Sequence, residues 1–257
     1  MNLDFEFFYN WIQKNLNINL DAYKETQLQR RITTVMKSAG ANTLQEYAQL
    51  IGKDEQIRRI FLDYITINVT EFFRNKEIFD EFEAVLVDVL IPKFKTVKIW
   101  SAACSVGAEP YSIAMILDKN NLSLRNKIIA TDIDDTILQK AKNGVYKDHE
   151  IKNIDKADID KYFTFEKNSY EIRDNIKSMV TFKKHDLILD NYEKGFHAVV
   201  CRNVTIYFKN EAKNEIYKKI NESLVQGGIF FTGATESIYN PSEFGFKKLS
   251  TFIYEKI

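Results

Sequence analysis

The sequence predicts an α/β protein: a doubly wound, mostly parallel sheet, preceded by a small all-helical domain and interrupted by a small β insertion. Three observations carry this reading. Before residue 96, apolar residues recur only at helical spacing. After it, short apolar runs of strand type alternate with helical patterns, the arrangement that builds a parallel sheet. Residues 145–179 are charged, less periodic, and break the alternation.

The elements follow in order. Phe5, Phe8, Tyr9 and Ile12 share one helix face, and Leu28, Ile32, Val35 and Met36 share another. Gly40 stops that second helix. A third runs from Thr43 to Ile51, and its start, Thr43-Leu-Gln-Glu46, has the form of a capping box. A fourth covers Glu55 to Ile65. Residues 1–66 thus read as a helical domain and 67–95 as a linker with a linking helix. Residues 96–257 hold the sheet. Its strands are expected at Val97–Ser101, Lys127–Thr131, Val180–Phe182, Ala198–Cys201 and Gly228–Phe231. Helices are expected from Pro110 to Leu117, from Ile137 to Ala141 and from Asn210 to Leu224; Pro110 suits a first helical turn, where its missing N–H costs nothing. Within 145–179, Tyr162–Ile172 reads as a small β subdomain.

Bulk properties narrow the function. The 257 residues carry 36 basic and 36 acidic side chains, so no bulk attraction to nucleic acid or anionic membrane is expected. No apolar run approaches the ~20 residues that span a bilayer, and the N-terminus, MNLDFEFFYNW, lacks the basic region of a signal peptide. The only two cysteines, Cys104 and Cys201, form no CxxC or Cys/His cluster, which argues against zinc and disulfides and fits a reducing cytoplasm. Both read as small buried residues rather than nucleophiles.

Two stretches carry chemistry. Ser101-Ala-Ala-Cys-Ser-Val-Gly-Ala-Glu-Pro-Tyr-Ser112 follows the first strand, and ligands in open α/β sheets sit beyond the carboxyl ends of strands. It holds one glycine rather than the G-x-G-x-x-G of a dinucleotide site. Asp132 ends the second strand, at an offset where an acid accepts hydrogen bonds from a ribose diol. The alternative role, capping the next helix, falls to Asp134 or Asp135. Together these select a nucleoside-containing cofactor without choosing between nicotinamide and S-adenosylmethionine.

Four motifs, in order, make the reading specific: Asn68-Val-Thr-Glu-Phe-Phe-Arg74; Trp100 through Met115; Ala-Thr-Asp-Ile-Asp134; and Cys-Arg-Asn-Val-Thr-Ile-Tyr-Phe208. With the late Gly-Ala-Thr-Glu-Ser237, they resemble the chemotaxis receptor protein-glutamate O-methyltransferases over nearly the whole chain. The resemblance implies a Rossmann-like methyltransferase fold and transfer of a methyl group from S-adenosylmethionine to receptor glutamates. It places Asn68, Thr70 and Arg74 along the cofactor cleft, and Glu109 and Asp132 against the methionine and ribose portions. Asp186 and Leu187 would flank the adenine, and Ala103 would let the loop backbone approach the ligand. Arg202 and Asn203 would lie beneath the methionine moiety, with Tyr207 facing the transferred methyl. Arg74 and Tyr207 are the catalytic candidates. Departures from the family pattern are Ala103 for glycine, Val106 for threonine, Ala108 for an acid and His197 for aspartate.

The resemblance also implies a partner, the acidic cytoplasmic methylation helices of chemotaxis receptors. Lys24, Arg30, Arg31 and Lys37, opposed by Glu25, form the basic stretch that the resemblance makes the docking surface, although from the charges alone a solvated helix face is the better reading. A monomer without membrane insertion, nucleic acid or metal is the simplest form. A non-catalytic cofactor-binding module, a nucleic-acid methyltransferase and a nicotinamide oxidoreductase are the competing classes. The second would be expected to show an Asn/Asp-Pro-Pro-Tyr/Phe motif; here the strand end reads Arg202-Asn-Val-Thr205.

Overall fold

The structure is a computed structural model that describes residues 3–66 and 70–257. Two compact units emerge, Met1–Asn68 with Tyr207–Lys213, and Val69–Ile206 with Asn214–Ile257.

The first unit holds α1 (Phe5–Leu16), α2 (Glu25–Ser38), α3 (Leu44–Lys53) and α4 (Glu55–Thr66). Helix starts are set locally. Asp4 accepts the Phe7 amide at 2.9 Å. Thr43 Oγ1 accepts the Glu46 amide at 3.1 Å, while Glu46 Oε2 accepts the Thr43 amide at 3.2 Å, so the reciprocal capping box forms. Apolar faces meet in a core centred on the fully buried rings of Phe8, Tyr47 and Phe61. Phe8 lies nearly parallel to Tyr47 at 5.8 Å and edge-on to Phe61 at 5.8 Å. Residues 207–209 pair with this unit: the Lys24 amide donates to the Tyr207 carbonyl at 2.9 Å and the Lys209 amide to the Ala22 carbonyl at 2.8 Å. Phe208 is buried, its ring edge-on to Tyr23 at 4.9 Å.

The second unit opens on a rod made of α5 (Lys76–Val85), a π-helical turn (Leu86–Leu90) and α6 (Ile91–Phe94). The wide turn lies just before Pro92, whose ring would collide with the carbonyl four residues back in a regular helix. The main sheet is ordered β6-β2-β1-β7-β8-β10-β9. Its members are β1 (Ile99–Ala102), β2 (Ile128–Asp132), β6 (Val180–Lys184), β7 (Phe196–Cys201), β8 (Leu224–Thr232), β9 (Phe246–Lys248) and β10 (Ile253–Lys256). The first five are parallel; β9 and β10 run antiparallel at one edge. Helices α7 (Ala108–Lys119), α8 (Asp135–Asn143) and α12 (Asn210–Ser223) connect strands.

Between α8 and β6 the chain builds α9 (Asp148–Ile151), α10 (Lys156–Tyr162), α11 (Asp174–Lys177) and a separate antiparallel sheet ordered β3-β5-β4. Its strands are β3 (Val145–Tyr146), β4 (Phe163–Glu166) and β5 (Ser169–Ile172). The two-residue turn Lys167-Asn168 has φ of 48° and 62°, the type I′ geometry that matches hairpin twist.

The structure departs from expectation in three places. The helix foreseen from Pro110 begins at Ala108, because Gly107 turns the chain at φ 88° and leaves Pro110 inside the first turn. Val97 makes only an isolated bridge to Leu124, and β1 starts at Ile99. Strands β9 and β10 were not expected: β9 is three residues with two lysines, and it exists because β10 pairs with it.

Candidate active site

Chain order proceeds outward to opposite sides of the gap between β1 and β7, through β2 and β6 on one side and β8 on the other, and a sheet of this kind binds ligands at that switch point, beyond its carboxyl edge. The loop leaving β1 is bent there by left-handed residues at every second position: Ala103 (φ 61°), Ser105 (φ 49°) and Gly107 (φ 88°). Gly107 is required for space as well as conformation, since a Cβ would stand 3.1 Å from Ala141 Cβ and 3.2 Å from the Phe182 ring. The loop is tied to β2 by the Cys104 amide on the Thr131 carbonyl at 2.8 Å.

Asp132 ends β2 and is buried. Its Oδ2 accepts the Ser105 amide at 2.9 Å and its Oδ1 the Asp134 amide at 3.1 Å. Each oxygen keeps a further lone pair, which suits a ribose diol. Burial raises its pKa to about 6 despite those amides. Capping of α8 falls to Asp134, which accepts the Thr136 amide at 2.8 Å.

Glu109 lies in the first turn of α7, buried at the adjoining strand end. Ser101 donates to its Oε1 at 2.8 Å, and Arg202 Nη1 lies 3.8 Å from its Oε2. Burial pushes Glu109 up to about 7, while the Arg202 charge and the Ser101 hydroxyl pull it down. Arg202 itself is 1 % exposed at its side chain. Its guanidinium lies in the corner formed by the perpendicular rings of Phe79 and Phe231, at 4.9 and 4.8 Å from their centroids. One Nη donates to the Arg74 carbonyl at 2.8 Å and to Asn75 Oδ1 at 3.3 Å. Arg202 therefore joins the end of β7 to the segment carrying Arg74 and to Glu109. That segment is strained, with Phe73 at φ 47° and Asn75 at φ 59°. The Phe73 amide is held by Ser112 Oγ at 3.0 Å and the Phe72 amide by the Glu150 carbonyl at 2.8 Å. Arg74 is near enough to Glu109 for its charge to lower that acid.

Thr70 is half-buried at the start of the same segment, and Asn68 lies outside the described residues. Asn203 follows Arg202 in a left-handed conformation, φ 60°. Leu187 is buried, while Asp186 uses its Oδ1 to accept the Ile188 amide at 2.7 Å, closing its own turn. Tyr207 groups with the first unit, where its carbonyl holds Lys24. The structure thus assembles Arg74, Ala103, Glu109, Asp132, Arg202 and Asn203 within the second unit, around neighbouring strand ends and the segment Arg202 binds.

Of the basic stretch, Lys24, Arg30 and Lys37 are exposed. Arg31 is not displayed in the same way: its guanidinium donates to the Tyr64 carbonyl, at 2.8 Å through Nε, and lies 4.9 Å over the Tyr64 ring.

Sequence reasoning missed Ser101, the Phe79 and Phe231 rings and Glu236. The last stood in the Gly-Ala-Thr-Glu-Ser motif but had no role until the fold placed it. The departures are mild: Ala108 is fully buried in the core, and Val106 packs against that core. His197 lies at the start of β7, the end of that strand away from Arg202, where its Nδ1 accepts the Lys98 amide at 2.9 Å.

Asp132 at the end of β2 and Glu109 in the first turn of α7, with the glycine-poor loop leaving β1 between them, define the class: an α/β protein of the nucleoside-binding type. Comparison with known proteins specifies which. Residues 3–66 match the CheR methyltransferase all-alpha domain and residues 68–253 the CheR methyltransferase S-adenosylmethionine-binding domain. The chain is 36% identical to a chemotaxis protein methyltransferase of Listeria monocytogenes over 98% of its own length and 97% of the relative's. It is 32% identical to one from Borreliella burgdorferi (88% and 85%) and 30% identical to one from Escherichia coli (88% and 81%). The chain belongs to the CheR family of chemotaxis methyltransferases and is an S-adenosylmethionine-dependent enzyme. Among the described residues, no helix is long and apolar enough to cross a membrane.

Proposed function

We propose that this enzyme methylates the γ-carboxylates of glutamates on the acidic methylation helices of chemotaxis receptors, giving glutamate methyl esters and S-adenosylhomocysteine for sensory adaptation. The observation that carries the reading is Glu109, tied through Arg202 to the segment of Arg74, together with Asp132 at the end of β2 and bound to the loop that leaves β1. Two acids suit the ligand's ammonium and ribose diol, and both rest on hydrogen-bond donors that keep them in place.

The bound cofactor supplies a methyl group already activated by its sulfonium. A glutamate carboxylate, with an ordinary pKa near ~4.3, arrives ionised, so the reaction asks for no general base. What remains is alignment, which can lower a barrier by roughly 7–11 kcal/mol. Arg74 would orient the incoming carboxylate and the Tyr207 hydroxyl would steer its approaching oxygen. Asp186 and Leu187 would border the adenine, and Thr70, Asn68 and Ala103 would line the ligand. Lys24, Arg30 and Lys37 offer an exposed basic strip for the acidic receptor helix.

Radiolabelled methyl transfer to receptor-containing membranes, with calorimetric titration of S-adenosylhomocysteine, tests this. Label should appear as base-labile glutamate esters; transfer to nucleic acid, or none at all, would refute the receptor substrate. Arg74→Ala should lose most turnover while still binding S-adenosylhomocysteine. Full turnover in that variant removes Arg74 from the mechanism.

A further inference from the structure

Glu236 is nearly fully buried in the loop after β8, yet its carboxylate reaches the turn that follows β7. Its Oε1 accepts the amides of Val204 (2.9 Å), Thr205 (2.7 Å) and Ile206 (3.3 Å), together with the Thr205 hydroxyl (2.9 Å). Its Oε2 accepts the Asn203 amide and the Gly233 amide, the latter at 3.0 Å. Successive backbone N–H groups converging at the start of a helical turn form an anion-binding nest. Here the nest is filled from within the fold by a side chain of the adjacent loop.

The consequence falls on Asn203. Its backbone is left-handed at φ 60°, a conformation that a short polar residue adopts at some cost and that its neighbours must hold. Glu236 anchors the amides on both sides of that bend. Gly233 allows the anchor to approach: a Cβ there would meet the Glu236 carboxylate and stand 3.0 Å from the Asn203 amide and 3.2 Å from Asn203 Nδ2. Gly233 has no left-handed φ, so its need for glycine is purely spatial.

We propose that Glu236 is a positioning residue for the cofactor site, locking the Asn203–Ile206 turn so that Asn203 is presented to the methionine portion of S-adenosylmethionine. The proposal rests on the reading above that Asn203 faces that ligand. Glu236 reaches the ligand only through the turn it holds.

The test uses the full-length protein carrying Glu236→Gln or Gly233→Ala. In the first, an amide N–H₂ faces backbone donors that need an acceptor. In the second, the carboxylate stays but a methyl group stands between it and Asn203. S-adenosylhomocysteine is titrated well below each variant's melting temperature, with far-UV circular dichroism showing each to be folded. A residue that only stabilises the fold would lower the melting temperature and leave this affinity unchanged. Glu236 as a positioning residue raises the dissociation constant in both variants, by roughly tenfold to a hundredfold, the scale set by ångström-level misplacement. Should one variant not fold, the other decides. An unchanged dissociation constant in a folded variant overturns the proposal. A wild-type protein that fails to bind S-adenosylhomocysteine instead overturns the cofactor reading beneath it.

Discussion

Glu109 sits between opposing influences: burial raises it to about 7, and the Arg202 charge and Ser101 hydroxyl pull it back. An acid raised above its ordinary 4.5 favours the folded state in its neutral form, so that contribution is complete below 4.5 and lost as pH rises through 7. The ligand's ammonium asks for the ionised form. Affinity for S-adenosylhomocysteine should therefore fall by about tenfold per pH unit below 7 and level off above it. Asp132, raised to about 6, steepens the fall further down. Titration calorimetry across this range should show the bend near 7 and lose it in Glu109→Gln; a flat wild-type profile would remove Glu109 from the amine site. Asp132 was legible from its strand-end position, whereas Glu109, Arg74, Arg202 and Asn203 were named only through the family resemblance. The shifted acidities of Asp132 and Glu109 were not legible, because desolvation depends on everything that covers them.

At the scale of elements, α2 shows how a charge pattern misleads. Lys24, Arg30, Arg31 and Lys37 look equivalent in sequence, but the Arg31 guanidinium supports the last turn of α4 through the Tyr64 carbonyl. Charge reversal at Arg30 and Lys37 should slow receptor methylation several-fold, more at low salt, and leave cofactor affinity unchanged. Arg31→Glu should instead lower stability by about 1–3 kcal/mol, read by urea unfolding, through the lost carbonyl partner. Equal behaviour of the two sets would show that the Tyr64 contact contributes nothing. The Phe231 ring belongs to another element-level joint: it stacks on Phe82 at 4.8 Å and closes one side of Arg202. Phe231→Ala should cost about 3–5 kcal/mol and weaken cofactor binding, measured by unfolding and titration. Capping boxes and helix faces were readable because they depend on residues three or four apart. Strands β9 and β10 were not, since their stability comes from pairing with β8 and with each other.

For the whole molecule, buried titratable groups set opposing slopes of stability with pH. Burial lowers His197, aided by the Arg125 and Lys98 charges, and burial also lowers His185. A histidine held below its ordinary 6.5 supports the fold fully above that value and loses its contribution as pH falls through the folded-state value. Glu109 and Asp132 act in the reverse direction between their ordinary and raised values. Replacing His197 with asparagine, whose Oδ1 can still accept the Lys98 amide, should reduce the stability loss between about pH 6.5 and 5 relative to wild type. Urea unfolding at both pH values decides it, and identical losses would mean His197 does not titrate with folding.

The amino-acid sequence by itself determined the class of fold, the helical first part, the β insertion and the motifs that mark the family, because periodicity, turn chemistry and motif order are written in neighbouring residues. Tertiary structure alone decided that Arg31 is a strut, that Arg202 is a buried clamp set in the corner of two rings and that Glu236 fills the turn after β7. Those roles arise from burial and from contacts between positions 33, 128 and up to 33 residues apart, respectively. Hydrogen bonds and desolvation act through space, and a chain's order does not encode which distant groups will share it.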